Sequence, residues 1–268
     1  FNNYIPYMDF PFEKKENGYC FEIGSTVKPE ILCKELSDGI EKLFNVLRSH
    51  HVDDADLYFQ SYSAESWYLE DSEVKSGSFS LDKGVGIRAV SGDKTGFAYC
   101  DDIVFPSMLK AAEAARSIAH EGSKTIPAIH AAKQAPARYQ DINPIEGMSK
   151  PEKIALLEAI DKEARSVDPR VIQVTASLSG SYEVIMVAGM HGEMAADIRP
   201  LVSIHVSVIV EDKQGKRESG RSGGGGRLAY SYFTHKENAL EHAREAVREA
   251  LVNLEAQDAP AGDRKSVV

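Results

Sequence analysis

Stretches of the chain with helical spacing of apolar residues alternate with stretches that have the two-residue repeat of strands. One helical stretch opens at Thr26 and Pro29, and a second runs from Pro106 to His120. Two more follow the capping-box signatures Ser149-x-x-Glu152 and Thr234-x-x-Glu237. The side chains predicted to be buried on these helices are Leu32, Leu36, Ile40, Leu43 and Leu47; Met108, Ala112, Ala115 and Ala119; Ile154, Leu157, Ile160 and Ala164; and Leu240, Ala243, Val247, Leu251 and Leu254.

Two groups of strands lie between these helices. In the first, Ala55–Tyr99, the Ser-Gly pair at 76–77 and the Ser-Gly-Asp triplet at 91–93 predict the turns of a meander with three or four strands. In the second, four strands are predicted: Val171–Gly180, Tyr182–Ala188, Met194–Arg199 and Leu201–Glu211. Grouped strands flanked by helices are typical of an α+β fold with mainly antiparallel strands, rather than of a parallel sheet with regular crossovers.

The last of these predicted strands alternates strictly. Its even positions are apolar: Val202, Ile204, Val206, Val208 and Val210. Ser203, His205 and Ser207 share the opposite face. The pattern predicts a half-buried strand whose polar side is solvent or interface surface.

Two glycine motifs resemble nucleotide-binding loops without meeting their requirements. Gly84-Val85-Gly86-Ile87-Arg88-Ala89 fits a dinucleotide fingerprint in letters, but a turn and a strand follow it instead of a helix, so we interpret it as a strand. The run Gly223–Gly226 continues as Arg227-Leu228-Ala229, not as the Gly-Lys-Ser/Thr of a phosphate-binding loop.

Two interpretations of the four-glycine run remain open. It is either a mobile loop that links a strand to a helix, or a flexible flap whose lack of side chains lets a peptide backbone approach. The second interpretation makes six residues candidates for substrate binding: Gly223, Gly224, Gly225, Gly226, Arg227 and His205.

The composition of the chain argues against two classes of protein, those that bind nucleic acids and those that bind membranes. A net charge of −10 argues against nucleic-acid binding, because phosphate neutralisation needs clustered Lys and Arg. Three scattered cysteines and no apolar run of membrane-spanning length indicate a cytoplasmic protein that binds no membrane. The histidines, among them His191, His205, His235 and His242, have no metal-ligand spacing, and we assign no catalytic and no metal-ligating residue.

Several segments, in order and spacing, resemble the N-terminal half of the catalytic, TldD-type member of the TldD/PmbA (TldE) metallopeptidase family. The resemblance runs from about Lys28 to Gly262. The segments that carry it are Asp56–Gln60, Ser66–Asp71, Gly84–Gly92, Thr95–Tyr99, Val174–Gly180, Ala195–Val202, Ser222–Arg227 and Ala250–Leu254.

The resemblance implies a zinc-dependent peptidase for short or unfolded peptides, in leader-peptide processing and antitoxin turnover. It also implies a dimer with a PmbA/TldE-like subunit or with a second copy. The family's zinc ligands lie on a His-Glu-x-x-x-His helix that follows the point equivalent to Gly262, and this sequence lacks that motif. We therefore expect zinc in the full-length protein and neither zinc nor peptidase activity in this chain.

The resemblance also predicts a domain organisation. Residues 1–27 lie outside it, residues 28–262 form the family's N-terminal domain, and the loop 121–148 is a candidate sub-boundary. Residues 263–268 resemble a translated library adapter, so we expect the native gene to continue beyond Gly262. Two alternatives remain: the same domain of a non-catalytic PmbA/TldE-like partner, and a stand-alone peptide-binding module.

Overall fold

The computed structural model describes residues 12–15, 18–21, 29–48, 52–118, 139, 142–257 and 262. The strands are β1 (Phe12–Lys15), β2 (Gly18–Phe21), β3 (Asp54–Glu70), β4 (Glu73–Ser91), β5 (Lys94–Cys100), β6 (Val171–Gly189), β7 (Met194–Glu211) and β8 (Arg217–Gly226). The helices are α1 (Pro29–Arg48), α2 (Phe105–Ile118), α3 (Lys150–Val167), α4 (Ser231–Thr234) and α5 (Asn238–Glu255). None of the described helices is long and apolar enough to span a bilayer.

Six strands form one antiparallel sheet in the order β5-β4-β3-β6-β7-β8, so β5 and β8 are its edges. The strands β1 and β2 pair separately. With helices flanking the six-stranded sheet, the α+β fold predicted from the sequence is confirmed. The first strand group has three strands, β3 to β5, within the predicted range of three or four.

The chain divides into two compact units. Unit 1 comprises residues 1–64, 79–142 and 181–200, and unit 2 comprises residues 65–78, 143–180 and 201–268. In unit 1 the predicted helix residues Ile40, Leu43, Leu47, Met108, Ala112 and Ala115 are buried, together with Leu57, Phe59, Val85 and Ile87 of the strands. The side chains predicted at Leu32, Leu36 and Ala119 lie outside the described residues.

Unit 2 has its own core, in which α3 and α5 pack together and α5 packs on β8. All five even positions of β7 predicted to be apolar and buried are buried: Val202, Ile204, Val206, Val208 and Val210. The predicted helix residues Leu157, Ile160, Ala164, Ala243, Val247 and Leu254 are buried as well, while Ile154, Leu240 and Leu251 are only partly buried.

The turn between β3 and β4 is not where the sequence placed it. The chain turns at Asp71 and Ser72, whose φ angles of 50° and 61° are left-handed, whereas Ser76 and Gly77 lie inside β4. Residue 77 is a glycine within the strand because Trp67 packs against it: a Cβ there would lie 2.6 Å from the indole ring. The turn predicted at 91–93 is present, with Gly92 at φ 55°.

The second strand group contains fewer and longer strands than predicted. The four predicted segments are two strands, because β6 continues through Gly180 and β7 continues through Pro200. At Gly180 the space for a side chain is taken by the buried ring of Tyr230, which explains a glycine within a strand.

Of the two capping boxes predicted, one is confirmed. The backbone N–H of Ser149 donates to the Glu152 carboxylate at 2.8 Å, and α3 begins at the next residue. The box at Thr234 and Glu237 is wrong: residues 236 and 237 have φ angles of 49° and 60°, which break the helix, so α5 begins at Asn238.

Candidate functional site

An open groove of about 340 Å³ lies on the polar face of unit 2's part of the sheet. The side chains that line it come from β3, β6, β7 and β8: Tyr68, Thr175, Ser177, His205, Ser207 and Arg221. Because side chains alternate across a strand, these residues face away from the buried even positions of β6 and β7. The groove is therefore the polar side that alternation in the sequence predicted.

Most of the polar side chains that line the groove carry a hydroxyl group. On the same face but outside the lining, Ser179 and Ser203 share a hydrogen bond of 2.7 Å between β6 and β7. Within the lining, the Thr175 hydroxyl donates to the Ser207 carbonyl at 3.5 Å. The lining contains hydroxyls, one imidazole and one guanidinium, and no acidic residue. In a chain of net charge −10, this is a locally non-acidic surface.

His205 and the glycine run meet in this groove. His205 is the register partner of Gly223, and a Cβ on Gly223 would lie 2.6 Å from the imidazole Nδ1. One step along, a Cβ on Gly225 would lie 2.9 Å from that of Ser203. The β7 backbone is as close: a Cβ on Gly223 would also lie 2.6 Å from the Ile204 carbonyl oxygen, and one on Gly225 would overlap the Val202 carbonyl oxygen. Glycine is therefore required at both positions because backbone and side-chain atoms of β7 occupy the space that a Cβ would take.

The other face of β8 packs against α5. A Cβ on Gly220 would overlap the backbone of Ala246 and Ala250, and one on Gly224 would lie 3.0 Å from the His242 ring. Gly223–Gly226 end the strand β8 and pair with β7, so the glycine run is neither a mobile loop nor a flexible flap, and both interpretations of its conformation are wrong. Arg227 follows the strand and does not line the groove.

The outer edge of β8 is closed along one half only. The backbone N–H of Arg221 donates to the Glu249 carboxylate at 2.6 Å, and the Asn253 amide donates to the Ser219 carbonyl at 2.9 Å. Backbone groups alternate in direction along an antiparallel strand, so the N–H and C=O of Gly223 and Gly225 point to the same edge. In the described part of the chain, these outward groups have no hydrogen-bond partner.

Arg221 was not recognised from the sequence. Its guanidinium has no carboxylate partner among the described residues, whereas Arg217, four residues earlier in β8, pairs with Glu211. Had the glycine run been interpreted as a strand, the two-residue repeat would have placed Arg221 on the same face as Gly223.

A buried polar cluster lies in the same unit. Lys153 and Glu65, only 3% and 7% exposed, form an ion pair of 2.5 Å, and the Trp67 indole donates to Glu65 at 3.1 Å. Lys153 also donates to the Ile145 carbonyl at 2.8 Å. Burial, and then the charge on Glu65, raises the pKa of Tyr230 well above its usual range. The cluster is enclosed and is separate from the groove lining.

The described residues do not fit a metal ion. No three His, Cys, Asp or Glu side chains among them lie close enough together to hold one. His191 lies in the turn between β6 and β7, where its Nε2 is 3.6 Å from Asp54 Oδ1. His235 lies in a 3-10 turn and not on α5, which carries His242, because the helix predicted to follow the Thr234 capping box begins only at Asn238. His50 and His51 lie outside the described residues.

Gly84 and Gly86 lie within β4, as the strand interpretation expected. A Cβ on Gly84 would lie 2.8 Å from the Cys100 carbonyl oxygen, and one on Gly86 would lie 3.2 Å from the Phe97 ring. These glycines therefore allow close packing of β5 beside β4.

Two stretches of the chain match one family of proteins. Residues 55–119 match the PmbA/TldA metallopeptidase domain 1, and residues 143–254 match the PmbA/TldA metallopeptidase central domain. Together the two stretches make up more than half of the chain.

Curated relatives carry the name metalloprotease TldD homolog. The one from Haemophilus influenzae is 47% identical over 226 residues, which are 82% of this chain and 47% of that protein. The one from Buchnera aphidicola subsp. Schizaphis graminum is 46% identical over 222 residues, 80% of this chain and 45% of that protein. The chain thus spans about half the length of the curated relatives it matches.

Solved structures share the fold. A Thermotoga maritima protein described as a candidate modulator of a DNA gyrase has a TM-score of 0.69 and 18% identity, covering 85% of this chain and 50% of that one. TldE from Thermococcus kodakarensis has a TM-score of 0.63 and 15% identity, covering 80% of this chain and 47% of that one. At these identities the likeness concerns the fold alone.

Proposed function

Since this chain belongs to the PmbA/TldD metallopeptidase family, we propose that it is the N-terminal, substrate-handling and dimerisation part of a TldD-like zinc metallopeptidase. The parent enzyme acts on short or unfolded peptides in the cytoplasm, as in leader-peptide processing and antitoxin turnover. The dimer partner is a PmbA/TldE-like subunit or a second copy of the chain.

The half-open edge of β8 is the observation that supports substrate handling. An extended peptide can add to a sheet edge by pairing with its free backbone groups, which requires no particular peptide sequence. Gly223 and Gly225 offer such groups, and neither has a side chain that would hold the peptide away. Asn253 occupies the outward carbonyl of Ser219, and Glu249 occupies the outward N–H of Arg221, so strand pairing is favoured along the glycine half.

The groove lies beside this half of the edge. Residues of an added strand alternate between the two faces of the sheet, so every second side chain of the peptide lies on the face of His205 and Ser207. The His205 imidazole and the Ser207 hydroxyl can each donate a hydrogen bond to a polar peptide side chain or accept one from it, and neither strongly favours acidic or basic side chains. His205, Gly223 and Gly225 therefore remain proposed substrate-binding residues, and Gly224 has a packing role against α5.

A backbone-methylated peptide tests the added strand. We expect a fluorescein-labelled octapeptide of alternating Thr and Ala to bind this chain, and methylation of three central amide nitrogens to weaken binding more than about tenfold, because several backbone hydrogen bonds are lost. In the matched control, three Ala residues are replaced by α-aminobutyrate, which adds three carbon atoms to side chains instead of to amide nitrogens. We expect this control peptide to keep the affinity of the unmodified peptide. Fluorescence anisotropy measures both; equal affinities for the methylated and control peptides would contradict the proposal.

The metal of the parent enzyme is proposed to be zinc, and this chain is not proposed to hold it. Zinc requires three or four convergent ligands, which the described residues do not supply. We expect the purified 268-residue chain to retain far less than one zinc ion per molecule after dialysis against a weak chelator. Metal analysis by plasma mass spectrometry measures the ratio, and stoichiometric zinc would be the contrary result.

Two alternative functions are compatible with the same groove and strand edge. The chain is the corresponding domain of a non-catalytic PmbA/TldE-like subunit, or a peptide-binding module that works alone. Sequencing the gene past Gly262 separates them from the leading proposal, since only a TldD-type gene continues in frame into a His-Glu-x-x-x-His segment.

A further inference from the structure

Arg221 occupies an unusual position for a cation in this chain. Acidic residues outnumber basic ones by 41 to 31, and the described arginines nearby are ion-paired: Arg217 with Glu211, Arg244 with Glu163 and Arg248 with Glu245. Among the residues that the structure describes, the Arg221 guanidinium has no such partner, and it lines the groove. An arginine left without a carboxylate in an acidic protein is available for a carboxylate from outside.

The position of Arg221 along β8 marks where strand addition must end. Its backbone N–H is already bound to Glu249, so a peptide that pairs with Gly225 and Gly223 finds no free donor at the next outward residue. The peptide's groove-facing side chains are two residues apart, as are Gly223 and Arg221. A peptide residue that faces the groove at the end of the paired segment is therefore level with the Arg221 side chain.

The row of side chains across the sheet at this level carries hydroxyl groups. Ser207 is the register partner of Arg221, and Thr175 is hydrogen-bonded to Ser207 across β6 and β7. Tyr68 also lines this part of the groove. Directly opposed cross-strand side chains come within about 5 Å of one another, a distance that a guanidinium and a carboxylate bridge easily.

We infer that Arg221 binds a carboxylate of the peptide held at the β8 edge, so that the groove selects acidic peptides or peptides that end there. The inference rests on the proposed function, because it requires the added strand. The carboxylate comes either from a Glu or Asp side chain or from the peptide's own C-terminus, and the same guanidinium serves both.

Matched peptides test the inference on the intact 268-residue chain. The first pair is an amidated octapeptide of Thr and Ala with a Glu or a Gln at its seventh position. The second pair lacks acidic side chains and ends in a free carboxylate or an amide. We expect roughly fivefold tighter binding of the carboxylate-bearing member of at least one pair, a preference that shrinks at high ionic strength.

Substitutions assign the preference to one residue. Arg221→Gln removes it, and Arg221→Glu reverses it in favour of the octapeptide with Lys at the seventh position. Arg217→Gln, on the same strand but paired with Glu211, keeps it. Circular dichroism shows that each variant is folded.

The outcomes separate the two sources of the carboxylate, and they also separate failure of the inference from failure of the proposed function. A preference for Glu over Gln assigns the site to a side chain, and a preference for the free acid over the amide assigns it to the C-terminus. Equal binding within both pairs, or a preference that survives in Arg221→Gln, overturns the inference and leaves strand addition intact. Failure of every peptide to bind overturns the proposed function and the inference with it.

Discussion

Replacing Lys153 by methionine is expected to lower the free energy of unfolding by about 3–5 kcal/mol, because it leaves the buried Glu65 carboxylate without its cation. The loss includes the hydrogen bond from Lys153 to the Ile145 carbonyl. Urea titration followed by the fluorescence of Trp67, the single tryptophan of the chain and a donor to Glu65, measures it directly.

Two further variants show whether the charge is responsible. In Lys153→Met combined with Glu65→Gln both charges of this pair are removed, so we expect the double variant to be more stable than Lys153→Met alone. Arg248→Met removes an exposed, solvent-screened ion pair with Glu245 and should leave the free energy of unfolding nearly unchanged. A Lys153→Met variant within 1 kcal/mol of the wild type would contradict the buried-pair interpretation.

Replacing Gly220 by alanine is expected to cost about 3 kcal/mol, because the new Cβ overlaps the α5 backbone at Ala246 and Ala250. Backbone cannot rotate away as a side chain does, so β8 or α5 must move. Thermal unfolding by circular dichroism measures the loss.

Gly226→Ala in the same strand is the matched control. Its Cβ would meet only the end of the Leu228 side chain, at 3.3 Å, and a flexible side chain can give way. We expect a change below about 1 kcal/mol there. Equal destabilisation by the two substitutions would show that glycine is needed in β8 for its backbone freedom and not for the contact with α5.

The contrast between predicted and observed elements has a physical explanation. The apolar face of β7 and the capping box at Ser149 are local patterns, readable within a few residues, and both are confirmed. The glycines of β8 and Gly77 were misread because glycine has two uses, in turns and under a neighbouring side chain. Which use applies depends on residues far away in sequence: His205 for Gly223, and Trp67 for Gly77.

The candidate site shows the same limit. His205 was recognised because alternation placed it with Ser203 and Ser207 on one face. Arg221 and Tyr68 were not, because their place in the groove depends on the strand order β3-β6-β7-β8, which a single sequence does not reveal. The half-closed edge likewise depends on side chains of α5 that lie about 30 residues further along the chain.

The division of each unit among three separate stretches has a consequence for synthesis of the protein. Unit 1 takes residues 181–200 as its last stretch, and its core includes Val184, Met186 and Ala188. A ribosome that adds about 5–20 residues per second needs roughly 3–13 s to proceed from Ile118 to Val184. During that interval α1 and α2 cannot yet pack against Val184, Met186 and Ala188, so their apolar faces stay incompletely buried. Slower codons between Ile118 and Val184 therefore lengthen the time during which chaperones and proteases can bind the nascent chain.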